Sequence, residues 1–163
     1  MTTRVASLGL LLCFALPPAA AAQTDTGTLN AVIGGFARLS LSTTSISFAD
    51  EDPDLVPQIP ASPVAVTITA RARATAGGMV TLTVQASDDL RSGVTTIPAQ
   101  QITWTATGAG FVAGTLSASA PQTVATWVGS GVRTGTQSFR FRNLWTYPTG
   151  TFTLSMIYTL TAE

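Results

Sequence analysis

The stretch Leu144–Glu163 begins with an aromatic turn, Trp145–Gly150, and then alternates between apolar and polar side chains to its end. Phe152, Leu154, Met156, Tyr158 and Leu160 share one parity, and Thr153, Ser155, Ile157, Thr159 and Thr161 share the other. A period of two belongs to a strand, whose side chains change face at every residue. The same pattern predicts strands at Leu29–Ile33, Ala37–Leu41, Ser45–Phe48, Val64–Arg73, Met79–Ala86, Gln101–Thr107 and Thr136–Arg142, with weaker ones in Phe111–Ser119 and Gln122–Val128. Glycine pairs and Gly-Ser clusters separate them. Val64–Arg73 and Met79–Ala86, joined through Gly77-Gly78, read as a β-hairpin. Ala49–Pro63 holds four acids and four prolines and reads as a loop, since proline donates nothing to a ladder.

No helical period follows the first segment, and the connections are too short for parallel crossovers. These features predict an all-β, antiparallel fold, with a two-sheet sandwich as the economical closure and a closed barrel as the alternative. The closing stretch Leu144–Glu163 is expected to lie across the core formed by everything before it.

The first residues carry a different signal. Met1–Arg4 is short and weakly basic, Val5–Leu16 is apolar, Pro17-Pro18 interrupts the run, and Ala19–Ala22 supplies small residues before a cut at Gln23. This is the layout of a secretory signal peptide over 1–22, with one domain over 23–163. The apolar run is too short to span a bilayer, so no membrane association is expected after cleavage. Cys13 is the only cysteine of the 163 residues, and the exported part must fold without disulfides.

Composition excludes most chemistry. There is no His and no Lys, and the eight positive charges, all Arg, balance eight acids. Nucleophilic triads and His or Cys metal sites are therefore not expected. The balance also argues against a basic field, and nucleic-acid binding is not expected. The acids sit in loops or at the ends, which offers no preorganised acid–base pair, so no catalysis and no cofactor are expected.

Two loop clusters remain as candidates. Asp50, Asp52 and Asp54 alternate within Asp50-Glu51-Asp52-Pro53-Asp54 and are the candidate calcium ligands, since alternate carboxylates suit a hard cation. A solvated acidic turn is the simpler reading. Trp145 and Tyr147 lie in a turn and are the candidate platform for sugar rings, against corner packing as the simpler reading. Arg140 and Arg142 flank Phe141 on an outward face, where they can guard an edge. The outward threonines (Thr67, Thr69, Thr81, Thr83, Thr103, Thr105, Thr159 and Thr161) keep strand preference while staying wet.

The leader, the Thr- and Gly-rich β-domain and the closing Tyr147-Pro148-Thr149-Gly150-Thr151-Phe152 with its run to Tyr158-Thr159-Leu160-Thr161 resemble bacterial fimbrial and spore-coat-type surface proteins. The resemblance implies an immunoglobulin-like β-sandwich, secreted to the periplasm or cell surface, with a structural or adhesive role. It also implies self-assembly in which Thr28–Ile33 fills a neighbour's groove; otherwise that segment pairs within its own sandwich. A secreted glycan-binding module is the alternative.

Overall fold

The computed structural model describes residues 30, 31 and 33–163. The expected leader, and Leu29 and Val32 of the first expected strand, lie outside the described residues. The compact unit runs from Ile33 to Glu163.

Two antiparallel sheets enclose one apolar core. The larger contains β1 (Phe36–Leu41), β2 (Ser47–Phe48), β3 (Gln58–Ser62) and β4 (Val66–Arg73). The smaller has β5 (Met79–Ala86) at its centre. A separate ribbon, β6 (Leu90–Ser92) and β7 (Thr95–Ile97), follows, then a 3-10 turn at Ala99–Gln101. The larger sheet resumes with β8 (Ile102–Thr107) and β9 (Gly114–Thr115). β10 (Gln122–Val128) joins β5, the twelve-residue β11 (Gly131–Arg142) joins the larger sheet, and β12 (Met156–Ala162) closes the smaller one. The large-sheet order is β1-β4-β11-β3-β2, with β8 and β9 branching from β11, and the small-sheet order is β10-β5-β12.

The alternating rows meet between the sheets. Ile68 and Ala70 of β4, Val80, Leu82 and Val84 of β5, Trp104 of β8, Val124 of β10 and Phe139 of β11 are all buried. Each of the larger ones contributes about 1.5–3 kcal/mol by leaving water. Val124 and Trp127, three apart, both point inward because a bulge between Thr123 and Ala125 shifts the parity of β10.

Four expectations are corrected. β4 and β5 are not a hairpin: β4 pairs with β1 and β11, whereas β5 pairs with β10 and β12. Both rows are apolar enough to be buried against each other, so the Ala74–Gly78 link crosses between sheets. Thr75 N–H donates to the Glu163 carbonyl there, 2.8 Å. Val64, expected inward, is 66% exposed ahead of β4. The loop Ala49–Pro63 contains β3, whose Ile59 and Ala61 are buried. Pro60 is tolerated because β2 pairs only with Ala61 and Ser62, which leaves one side of β3 open at the proline. Finally, the strand expected in Leu29–Ile33 is not formed by its described residues, and the first strand starts at Phe36.

β11 is the hub, and the closing stretch is not. One edge of β11 pairs with β4 and then β3, and the other with β8. Among the described residues β12 is an edge strand paired with β5 alone, and its row Met156, Tyr158 and Leu160 is half-buried. The inward row of β11 includes Gly135 and Gln137 between Arg133 and Phe139, so its alternation is hard to see in hydropathy. A Cβ at Gly135 would stand 2.5 Å from both the Phe111 ring and the Thr107 carbonyl oxygen. Gln137 is fully buried and accepts a 2.7 Å hydrogen bond from the Tyr158 hydroxyl, tying the hub to the opposite sheet.

Burial pushes the Tyr158 hydroxyl well above its ordinary range. An unfolded tyrosine therefore ionises first, the folded state holds the extra proton, and alkali favours unfolding. The melting temperature should hold up to about pH 10 and fall above it, with part of that fall removed in Tyr158→Phe. At neutral pH, Tyr158→Phe should cost about 1–2 kcal/mol in chemical denaturation, because it leaves the Gln137 carbonyl oxygen unpaired. Adding Gln137→Met should recover most of that loss; no recovery would mean the bond is not what holds these two strands.

Candidate functional site

The acidic loop and the aromatic turn form one locus at an end of the larger sheet. Asn143, immediately after β11, makes the junction: its side-chain amide donates to the carbonyls of Glu51 (2.8 Å) and Val56 (3.2 Å). Its backbone N–H donates to the Pro57 carbonyl, 3.0 Å. These bonds hold the acidic loop against the start of Leu144–Pro148. Trp145 then donates from Nε1 to Asp54 Oδ1, 3.1 Å. The two clusters lie 91 residues apart, and no local pattern links Asn143 to either of them.

Within the loop, the carboxylates serve the chain itself. Asp52 Oδ1 accepts from the Asp54 N–H at 2.9 Å, and the Asp52 carbonyl accepts from the N–H groups of Leu55 and Val56. This is an aspartate-organised turn. Asp50 is exposed. Among the described residues, no three acidic side chains stand close enough to share a metal ion, so the structure assembles no calcium cage from Asp50, Asp52 and Asp54.

The fold separates the two aromatic candidates. Trp145 is 68% exposed, with its indole anchored at one end by Asp54, which leaves ring surface for a ligand. Tyr147 is half-buried, and its ring packs on Phe141 at 5.6 Å, which in turn packs on Phe48 at 5.7 Å. Burial raises the Tyr147 hydroxyl above its usual range, with Arg142 opposing. That hydroxyl is buried without a hydrogen-bond partner. Tyr147 is thus a corner residue, and Trp145 alone offers a face.

Elsewhere, Asp88 and Arg91 form an ion pair of 2.6 Å beside the β6–β7 ribbon. The hydrogen bond from Arg91 holds the Asp88 carboxyl below its ordinary range. The neighbouring Asp89 accepts from the Ala99 N–H at 2.9 Å. These acids fasten the ribbon to the 3-10 turn.

Comparison of the chain with protein-family profiles, with curated proteins and with solved structures gives no significant match.

An unpartnered buried hydroxyl is a cost that a benzyl ring does not carry. Tyr147→Phe should therefore stabilise the protein by about 1 kcal/mol in urea denaturation. A loss of stability would show that the hydroxyl has a partner in solution.

Proposed function

We propose that the protein is an exported, non-catalytic structural or adhesive surface domain, immunoglobulin-like and of fimbrial type, whose copies join by strand addition. The observation that carries this reading is the free edge of β12. The smaller sheet has three strands against a wider partner, and among the described residues no strand pairs with the outer edge of β12. Met156, Tyr158 and Leu160 are half-buried, and Ile157 is 57% exposed. This edge carries none of the usual protections: no proline, no bulge and no charge between Met156 and Ala162. An added strand would satisfy its backbone and cover its apolar row. The segment before β1 suits that role, since Ala31 and Ile33 share a parity and Ile33 is 75% exposed.

Size-exclusion chromatography and negative-stain microscopy of residues 23–163 should reveal ladders or fibres. Ala31→Asp with Ile33→Asp should reduce them to monomers of unchanged melting temperature. A wild-type protein that stays monomeric at high concentration would end the assembly reading.

A second reading, a glycan-binding module, is favoured by the exposed indole of Trp145 and its anchor on Asp54. Its tryptophan fluorescence should shift with oligosaccharide, and Trp145→Ala should abolish binding. Binding left intact in that variant would remove Trp145 from the account.

A further inference from the structure

The fold sorts charges that the sequence balances. Its outward large-sheet face presents Arg38 on β1, Arg71 and Arg73 on β4, and Arg140 and Arg142 on β11. No strand of that sheet contains an Asp or Glu. The expectation that no basic field exists holds for net charge and fails for this surface, because the acids were consigned to loops.

The arginines form two groups. Arg140 and Arg142 lie beside the loop that carries Glu51 and Asp54. Arg71 faces Val132 across the sheet, which puts it roughly 27 Å along β11 from Arg140 at strand rise. At that far end Arg38 and Arg71 are direct cross-strand partners, and Ser40 and Thr69 are the next outward pair. Like charges directly opposite oppose pairing of the strands, and among the described residues no carboxylate bridges to either. The only ion pair among the described residues is Asp88–Arg91. Glu163 lines the hollow next to Arg73 without reaching bridging distance.

Arg38, Ser40, Thr69 and Arg71 together line a concavity of about 190 Å3. Two arginines and two hydroxyl residues line it and no Asp or Glu does; the Thr69 hydroxyl also lies 3.4 Å from that of Thr134. A guanidinium fork matches the two oxygens of a carboxylate or sulfate. Just beyond, Phe36 is paired with Arg73 and is 55% exposed, so a ring face adjoins the donors.

We propose that this concavity binds the carboxylate or sulfate groups of an acidic polysaccharide. Arg38 and Arg71 take the anionic group, Ser40 and Thr69 donate to its oxygens or to neighbouring hydroxyls, and Phe36 supports a sugar ring. The spacing favours this ligand over other polyanions. Arg38 and Arg71 stand opposite one another and Arg73 follows one outward position on, a short strip that suits one or two anionic groups, whereas duplex DNA carries a charge about every 1.7 Å. The formal net charge of +0 gives no long-range pull toward a densely charged polymer or a membrane. The proposal goes beyond strand-addition assembly and does not require it.

The test is titration calorimetry of residues 23–163 carrying Ala31→Asn and Ile33→Asn, which add no charge to the hollow that Ile33 shares with Arg73, so that assembly and binding are read separately. The probe is polygalacturonate, with dextran as the neutral control. The expected result is binding to polygalacturonate alone, weakened by salt. Arg38→Gln with Arg71→Gln should weaken it about tenfold or more, while Arg140→Gln with Arg142→Gln should change it less than about twofold. The first pair should also melt no lower than its parent, because a repulsion has gone. Should that pair unfold, Arg38→Lys provides the check: it keeps the charge, loses the fork, and should still weaken binding. The proposal is overturned by no binding, by equal binding of dextran, or by indifference to Arg38 and Arg71. It is also overturned if phosphatidylglycerol vesicles or duplex DNA bind more tightly than polygalacturonate.

Discussion

The inward face of β11 is the constraint on which the sandwich depends. That strand pairs on both edges, and its row from Gly135 through Gln137 to Phe139 is buried. Each of those residues does something different. Gly135 leaves room for the Phe111 ring, Gln137 reaches across to Tyr158, and Phe139 packs on Trp104 with ring centroids 6.1 Å apart. Tyr158 supplies a partner for the carbonyl oxygen of this buried amide, whereas its Nε2 is buried without one. That hydrogen bond joins the centre of one sheet to the edge of the other. With no second cysteine to pair with Cys13, no disulfide forms within the chain, and such packing and hydrogen bonding hold the sheets together.

Placing β4 and β5 in different sheets has consequences for both surfaces. It gives the larger sheet most of the strands and leaves the smaller with three, ending at β12. It also sets β4 beside β1, which brings Arg38 opposite Arg71. The unguarded β12 edge and the unneutralised arginine pair are thus two products of one topological choice. Among the described residues neither is compensated: one edge has open backbone groups and the other face has repelling charges. A domain that works by contact with other molecules would keep such features.

The end of the sheet near Asn143 is of another kind. Here the acids and the aromatic turn satisfy one another through Asp52, Asp54 and Trp145. Tyr147 joins Phe141 and Phe48 in sealing that corner. Only the face of Trp145 is left for an outside partner.

What the sequence determined by itself was fold class and facing. Period-two alternation depends only on neighbouring residues, so inward rows such as Val66–Ala72 on β4 and Val80–Ala86 on β5 could be read directly. Absences were equally legible, since no arrangement of this chain can create a histidine. Which strands pair was decided by tertiary structure, because pairing depends on how rows from distant segments fill one core. That is why the supposed β4–β5 hairpin became a crossing and why β3 emerged from a proline-rich loop. It is also why the clean pattern of β12 lay at an edge while the mixed row of β11 lay at the centre. The same limit applies to the surfaces: Arg38 and Arg71, or Asp54 and Trp145, become neighbours only when separate segments are laid side by side, which no local pattern records.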